Sequence, residues 1–552
     1  MSSIHSLDSV ANLQHSIRSQ SALVKQDDSA NVALLGRQLR STETLDDKSE
    51  TSTLSSRVDD INQDASPQTY AHLEKNLSVN QLDISDMRGS LGQLTDLIGD
   101  STSFKGTHRE EGAIGQYLIP EIDDQATGSG KLFSLTVTTA DGDRVEIQIS
   151  RTQGTVGDLE QGGASYRETT LSVKIDGELA AEEFEALSGL TDKLASLADN
   201  YRKDDWVQLG DLSAFDHDQL SGFQLDVSGV DGNSFSLDYK IDTDSGEKTI
   251  TSDLNGYKFD IRVDLDGLKL DDNIADNAQY LQYQQLIRDT AYAYKQGEDA
   301  GGVSSSKAAA FFVQGMDAIF RIDEDEKEAI DQRRSNTDQA PENALGDLDK
   351  MNSSNQRLLD DFSSGLADFE ASFNTPVFRP NEDQQSEIST MSLNISQTTD
   401  VDRSSDQDQS YININQRSEY QSRVSQHLGL GGDSVKHANL DSEAQGGQSY
   451  LYRTDIKSAS IDRSLSFADT NRLIAIDEQR SQEHIQKDKT VIGGKLESNT
   501  IEDLSSAYKN ADTRVDIAQT TREQQTQQIL KSYQSIAQMD GLVDGSKVEL
   551  FI

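Results

Sequence analysis

Apolar and polar residues alternate along most of residues 131–265, which is the most regularly patterned part of the chain. A period of two places successive side chains on opposite faces of a β-strand, so each run predicts a strand with one buried face and one solvated face. The last run is the clearest, because Tyr257, Phe259 and Ile261 alternate with charged residues of both signs. The other runs are centred on Leu135, Ile147, Val173, Leu225 and Leu237.

The first two runs form a predicted hairpin whose loop length can be tested against the alternation. A two-residue loop would place Val137 opposite Glu146, whereas a three-residue loop over residues 140–142 places Val137 opposite Val145. The longer loop is favoured, because Gly142 supplies the left-handed conformation that its last position needs. A second hairpin is predicted to turn through a two-residue loop at residues 245–246, which would set Ile241 opposite Ile250.

Between the third and fourth runs the period changes from two to three and four residues, which indicates an amphipathic helix. Acidic residues near its start suit the helix dipole. Its apolar stripe consists of Phe184, Leu187, Leu190, Leu194, Leu197 and Tyr201. The predicted fold class is therefore α+β, with an antiparallel sheet of six or seven strands and a helix packed on its apolar face.

Four regions follow from this patterning. Residues 1–125 are predicted to be a polar flank of short helices or disorder, residues 126–270 the α+β core, and residues 271–378 a helical segment. Residues 379–552 are predicted to be polar, with short strands and a late helix over Ile501–Met539. The helical segment contains a tyrosine-rich helix within Asn273–Gln296 and two stripes, Phe312–Phe320 and Leu358–Phe373; the short strands are Met391–Ile395, Tyr411–Ile414, Tyr450–Ile456 and Leu473–Ile476.

Charge and composition exclude several classes of partner and chemistry. The net charge of −46 leaves no dense positive patch for a phosphate backbone, so nucleic acid is not an expected partner. Absence of cysteine removes disulfides, thiolate metal sites and cysteine nucleophiles. No apolar run approaches about 18 residues, so no membrane span is expected. The first 20 residues do not form a secretory signal peptide, which leaves a soluble protein, either cytoplasmic or exported by another route.

Motifs that carry chemistry are sparse. The eight histidines are scattered singly, and no zinc-protease, phosphate-loop or serine-elbow motif is complete. Carboxylate pairs cannot be chosen from so many acidic residues. The nearest approach to a metal site is an Asp-Gly turn that offers hard oxygen ligands suited to calcium, although its spacing fits no EF-hand loop and an ordinary Asp-Gly turn is the favoured explanation. Its candidate ligands are Asp264, Asp266, Asp271 and Asp272.

One part of the chain resembles a known group of sequences. The hairpin at residues 134–145, the segment Gly177–Leu179 with the helix after it, and Leu220–Phe223 are similar to a family of uncharacterised bacterial proteins. The resemblance covers roughly residues 130–375. It implies a bacterial source and carries no activity, because the family has no established function to transfer.

Two functions fit these observations. The first is a non-enzymatic protein that acts through protein interactions, with the 1–125 or 380–552 flank ordering on a partner and the core serving as a mount. The composition of the flanks fits solubilising tails equally well. The second is a calcium-assisted protein that binds or processes carbohydrate. Ordered metal in the Asp264–Asp272 turn, or a cleft with aromatic residues and a spaced carboxylate pair, would favour the second.

Overall fold

The computed structural model describes most of the chain from residue 130 to residue 516, together with two short strands before it. All of these residues belong to one compact unit, Leu54–Ile552. The described ranges are residues 55–57, 103–113, 130–156, 164–210, 212, 218–229, 233–242, 245–265, 274, 277–294, 304–321, 351–379, 387–406, 409–428, 449–468, 472–505 and 510–516.

A single antiparallel sheet of 16 strands dominates the described residues. From one edge to the other the order is β1-β2-β5-β4-β3-β6 and then β7 to β15 in sequence, while β16 pairs with β14 beside β15. The strands are β1 Ser55–Arg57, β2 Ser103–Ala113, β3 Gly130–Thr139, β4 Arg144–Val156, β5 Ala164–Asp176, β6 Leu220–Ser228, β7 Ser234–Asp242, β8 Glu247–Leu254, β9 Tyr257–Asp264, β10 Asp368–Asn374, β11 Thr390–Asp406, β12 Gln409–Leu428, β13 Tyr450–Ala468, β14 Arg472–Ile492, β15 Lys495–Asp503 and β16 Asn510–Asp516.

Four helices within the described residues pack on the sheet. They are α1 Ala181–Asp204, α2 Ala278–Ala293, α3 Ser305–Phe320 and α4 Ser353–Phe362. Helix α1 lies over β3 and β6, α3 over β8 and β9, and α2 over β11 and β12. We call the side of the sheet that these helices cover the helix face, and the opposite side the polar face. None of the helices described is long and apolar enough to cross a membrane.

The main core lies between the helix face and helices α1 to α3. Alternate residues of neighbouring strands meet there in register, so that Val137, Phe223 and Tyr239 form one row across the sheet. The polar face carries the intervening residues, as the strict alternation of buried and exposed positions along β9 illustrates. The predicted antiparallel sheet with packed helices is therefore present, although strands outweigh helices.

The first hairpin and the first helix are confirmed. Val137 lies opposite Val145, and Gly142 has a φ of 96°, as the three-residue loop requires. Helix α1 buries the predicted stripe from Leu187 to Tyr201. Its first turn is secured by Glu183, whose carboxylate accepts a hydrogen bond of 2.7 Å from the Ala180 N–H.

The predicted turn at residues 245–246 is wrong. Strands β7 and β8 end and begin at Asp242 and Glu247, so Ile241 lies opposite Lys248 and not opposite Ile250. Lys248 occupies a core position because its Nζ donates a 3.1 Å hydrogen bond to the Arg321 carbonyl just beyond α3. The cation therefore finds an acceptor at the end of a helix, where carbonyl groups lack partners within the helix.

The helix predicted to run from Leu358 to Phe373 is correct only in its first half. Helix α4 ends at Phe362, and β10 then carries Phe369, Ala371 and Phe373 on its buried face. Residues four apart share a face in both a helix and a strand, so the aromatic spacing alone did not distinguish them. Pairing with β9 on one side and β11 on the other places the segment inside the sheet.

The C-terminal strands are present where alternation predicted them, and they are longer than the pattern indicated. Strands β11 to β14 contain 17, 20, 19 and 21 residues. The late helix predicted over Ile501–Met539 is wrong at its start, because residues 501–503 belong to β15 and residues 510–516 form β16. Residues 517–539 of that prediction lie outside the described residues. In the N-terminal flank, predicted as short helices or disorder, the described residues Ser55–Arg57 and Ser103–Ala113 are strands β1 and β2 of the sheet. The rest of residues 1–125 lies outside the described residues.

Candidate functional site

The predicted calcium site is represented in the described residues by Asp264 alone. Asp264 lies on β9 between Asp368 of β10 and Glu247 of β8, which are its cross-strand partners. Asp266, Asp271 and Asp272 lie outside the described residues. Across the described ranges, no group of three or more His, Asp or Glu side chains is spaced to hold a metal ion. The calcium site stays a prediction.

Asp368 has a raised pKa in the row that it forms with Asp264 and Glu247 across β10, β9 and β8. Its pKa is raised to about 6, mainly by burial and to a smaller extent by nearby Asp264 and Asp400, while hydrogen bonds from Thr399 lower it. The Thr399 N–H lies 2.5 Å from Oδ2 and the Thr399 hydroxyl 2.8 Å from Oδ1. Both carboxyl oxygens are thus held by one residue of β11, and the group can exchange a proton near neutral pH.

A denser polar cluster lies near one end of β12, β13 and β14. We call it the His427 cluster; its members are Glu387, Ser389, His427, Tyr450, Tyr452 and Lys489. Gln426 donates to the Ala293 carbonyl of α2 and so points to the helix face. His427, the next residue on the strand, therefore points to the polar face. There the segment before β11 covers it.

Glu387 is the centre of the His427 cluster. Its side chain is only 3% exposed, yet it accepts hydrogen bonds from His427 Nε2 at 3.2 Å, from Lys489 Nζ and from the Tyr450 hydroxyl. The His427 ring lies between two aromatic rings, with centroid distances of 5.2 Å to Tyr450 and 4.9 Å to Tyr452. A buried carboxylate with three donors is fully compensated.

These contacts set the charges in the cluster. Burial alone would raise the pKa of Glu387, but the hydrogen bonds from Lys489, Tyr450 and His427 outweigh burial and lower it. Burial lowers the pKa of His427, and the hydrogen bond to Glu387 offsets only part of that effect. At neutral pH the cluster therefore contains an anionic glutamate, a cationic lysine and a neutral histidine.

The order Ser389–His427–Glu387 reproduces the hydrogen-bond sequence of a hydrolytic triad. Ser389 Oγ lies 3.3 Å from His427 Nδ1, on the side of the ring opposite Glu387. A nucleophile must also reach its substrate. Ser389 has no solvent exposure, and its backbone N–H and C=O both pair with Phe378. The geometry therefore fastens residues 387–389 to the sheet and does not present a nucleophile.

Sequence reasoning missed the His427 cluster. Its histidine, lysine and glutamate lie on β12, on β14 and in the segment before β11, and the strand register brings them together, with His427 opposite Tyr452 and Tyr452 opposite Lys489. His427 is one of eight isolated histidines in the sequence. No local spacing distinguishes it from the others.

The polar face carries a groove across β3 to β8. The cavity has a volume of about 510 Å³ and is bordered by Thr136, Thr138, Arg144, Ser221, Gly222, Phe223, Gln224, Asp238, Lys240, Ile241, Asp242, Glu247 and Thr249. Gly222 forms part of its floor, where a Cβ would lie 2.6 Å from the Tyr239 carbonyl oxygen. Glycine therefore allows β6 and β7 to approach closely and leaves the groove without a side chain at that point.

The groove contains both signs of charge. Lys240 Nζ lies 3.6 Å from Asp238, and an Arg144 guanidinium nitrogen lies 3.2 Å from Glu146. The side chains of both cations are more than half exposed. Exposed ion pairs of this kind contribute little to stability and can exchange partners at low cost.

Comparison with known proteins supplied no relative. No protein-family model matches the chain, and neither a curated protein nor a solved structure matches it. The resemblance to uncharacterised bacterial proteins stays a prediction.

Proposed function

We propose that this protein acts by binding another protein, and that the groove on the polar face of β3 to β8 receives an extended segment of that partner. The groove itself is the observation that carries the proposal. It is a concave cavity, open to solvent, with a volume of about 510 Å³, and it lies on the face that the helices leave uncovered. The helix face is occupied by the core and cannot serve the same purpose without unfolding.

The chemistry of the lining favours a polypeptide. Hydroxyl and amide groups of Thr136, Thr138 and Gln224 supply donors and acceptors along the groove, as a peptide backbone requires. Lys240 and Arg144 offer cations to acidic side chains, and the neighbouring acidic residues accept basic ones. A segment with mixed charge can therefore replace the existing exposed ion pairs with pairs of its own.

Carbohydrate is the second candidate ligand, because hydroxyl and amide groups also pair with sugar hydroxyls. Sugar-binding sites commonly add an aromatic face for stacking. Phe223 borders this groove, but its side chain is only 4% exposed and belongs to the core on the helix face. The lining residues thus provide hydrogen bonds without an exposed aromatic ring for stacking. For this reason carbohydrate is a weaker candidate ligand than polypeptide.

The test compares two lysines that differ in position and little else. Lys240 and Lys258 both lie on the polar face, both pair with an aspartate, and their side chains are 70% and 59% exposed. Only Lys240 borders the groove. Full-length wild type, Lys240→Glu and Lys258→Glu are used to capture proteins from a bacterial lysate, and the captured proteins are compared by quantitative mass spectrometry.

We expect at least one protein to be depleted about tenfold by Lys240→Glu and retained by Lys258→Glu, in line with the sensitivity of steered interfaces to charge. That protein is then purified and its affinity measured directly. Equal recovery of every captured protein by the two variants refutes the proposal. A glycan array probed with the same three proteins tests the second candidate, and a glycan signal lost only in Lys240→Glu would replace polypeptide with carbohydrate.

A further inference from the structure

Strand β15 forms one end of the sheet. Among the described strands it pairs only with β14, along residues Ile485–Ile492. Every residue of β15 except Ser498 is exposed. An edge strand with an accessible backbone is a template for a further strand, and natural proteins usually protect such an edge with charge, proline or covering structure.

The exposed side chains of β15 include two large apolar residues. Leu496 is 58% exposed and Ile501 is 70% exposed. Leu496 lies opposite Val491 and Ile501 opposite Lys487, so both point to the same face of the sheet. In a regular strand, residues separated by an odd number of positions point to opposite faces. Leu496 and Ile501 share a face because the register shifts between Thr490 and Val491, which leaves Glu497 as the extra residue of a β-bulge.

This bulge makes β15 complementary to itself. When two copies are placed antiparallel about a two-fold axis at Asn499, Ser498 lies opposite Thr500 of the other copy. With Glu497 bulged in each strand, Leu496 then lies opposite Ile501. Lys495 comes to lie opposite Glu502.

The faces of the sheet agree with this register. Lys495 and Glu502 lie opposite Ile492 and Gln486 of β14, which are both even-numbered positions on one face. The apolar pair lies on the other face. Apolar residues therefore meet apolar residues and opposite charges meet, as stable cross-strand pairs require. A parallel, in-register arrangement would instead place Lys495 against Lys495 and Glu502 against Glu502.

We propose that β15 pairs with β15 of a second copy of this chain, so that a two-fold dimer continues the sheet across the interface. Strand β1, at the other edge of the sheet, is a less suitable pairing partner for β15, because it has only three residues. Pairing of β15 with β1 would also be head-to-tail and would produce a ring or an open filament, whereas pairing of β15 with itself closes at two copies. The proposal concerns a surface separate from the groove of β3 to β8.

Cysteine substitution tests the register directly, since the natural chain contains no cysteine. Asn499→Cys places a thiol at the two-fold axis, where it meets its own copy at about 4.5–5.5 Å between Cα atoms, a separation that a disulfide spans. Thr500→Cys is the matched control, because it is exposed on the same strand and faces Ser498. Under mild oxidation of full-length protein, we expect a covalent dimer from Asn499→Cys at least about tenfold faster than from Thr500→Cys.

Charge reversal tests the pairing without covalent chemistry. Lys495→Glu places a glutamate opposite Glu502 at each end of the interface. We expect the dimer dissociation constant, measured by sedimentation equilibrium, to rise about tenfold. The double variant Lys495→Glu/Glu502→Lys restores opposite charges and should recover the wild-type constant to within about threefold. Circular dichroism confirms that each variant is folded, and Lys240→Glu leaves the dimer unchanged because it alters only the groove.

Three results would overturn the proposal. The first is a wild-type protein that stays monomeric at about 100 µM, well above the dissociation constants of specific dimers. The second is equal crosslinking of the two cysteine variants. The third is failure of the double charge reversal to recover what the single reversal loses. Loss of groove binding with an intact dimer would leave this proposal standing and reject only the proposed function.

Discussion

Replacing Glu387 by alanine removes the acceptor on which the His427 cluster depends. Lys489 is 30% exposed and can regain water, so its loss of a partner costs little. The buried N–H of His427 and the hydroxyl of Tyr450 cannot do so as easily, and each costs about 1–3 kcal/mol when it loses its acceptor. We therefore expect Glu387→Ala to lower the free energy of unfolding by about 2–5 kcal/mol.

Asp488, which precedes Lys489 on β14, provides a matched control. It forms a two-pronged ion pair with Arg453, with distances of 2.8 and 2.7 Å, but the two side chains are 20% and 32% exposed. Because both partners keep contact with water, Asp488→Ala should cost less than about 1.5 kcal/mol. The comparison therefore separates burial from the mere presence of an ion pair.

Urea denaturation followed by circular dichroism measures the total effect, and hydrogen exchange of β12 and β13 peptides measures the local one. Faster exchange should be confined to the strand ends around His427 and Tyr450 if the cluster fastens the segment before β11 to the sheet. Equal loss of stability in Glu387→Ala and Asp488→Ala would refute the reasoning. Unchanged exchange around His427 in Glu387→Ala would refute it as well.

Acid should weaken the same cluster. The folded state holds His427 neutral and lowers its pKa, so the cluster's contribution is complete above the unfolded value of about 6.5 and declines as pH falls below it. The lowered pKa of Glu387 adds a second loss at lower pH, as the carboxylate becomes protonated. His427→Gln, which keeps a donor for Glu387 and does not titrate, should lose the first decline and retain the second.

Three further predictions concern the sheet and its core. Ile261 has no solvent exposure, so Ile261→Asp should cost more than about 4 kcal/mol while Arg262→Ala stays within about 1 kcal/mol by thermal denaturation, and equal effects would mean that the alternation is misassigned. Gly315→Ala should cost about 1–3 kcal/mol, because its Cβ would lie 2.8 Å from the Phe259 ring; a stabilised variant would contradict that contact. Carbon-13 NMR should report a pKa of about 6 for Asp368. Because this pKa is raised above that of the unfolded chain, the contribution of Asp368 to stability should be lost as pH rises through about 6, and Asp368→Asn should remove this pH dependence.

The parts of the fold that sequence predicted correctly are those determined by neighbouring residues. The hairpin of β3 and β4 follows from local alternation and from Gly142, which adopts the conformation that its turn needs. The prediction of the turn before β8 failed because a distant group decides the register: Lys248 is buried where the Arg321 carbonyl accepts a hydrogen bond from its Nζ. Strand β10 failed for a similar reason, since its neighbours β9 and β11 determine its conformation.

The C-terminal strands show why low apolar content made the predicted strands too short. Strands β12 to β14 combine long backbone ladders with polar cross-strand contacts, such as Ser425 with Thr454 at 3.1 Å and Ser460 with Ser481 at 2.7 Å. Each such bond contributes only about 0.5–1.5 kcal/mol net, but β12 to β14 are 19 to 21 residues long and pair along most of that length. Burial of apolar area is therefore not the sole source of order here.

A buried ion pair shows the cost of building a sheet from polar residues. Glu478 is 6% exposed on the helix face, and burial raises its pKa even though Arg463 and Arg480 contact it and lower it. Burying charge in this way adds little net stability, but it penalises any register that separates the partners. The same argument applies to β15 at the end of the sheet. Backbone hydrogen bonds alone would let this edge strand pair with many other strands. In the proposed dimer, Lys495 and Glu502 favour the antiparallel register that places them opposite each other, because other registers bring like charges together or leave them unpaired.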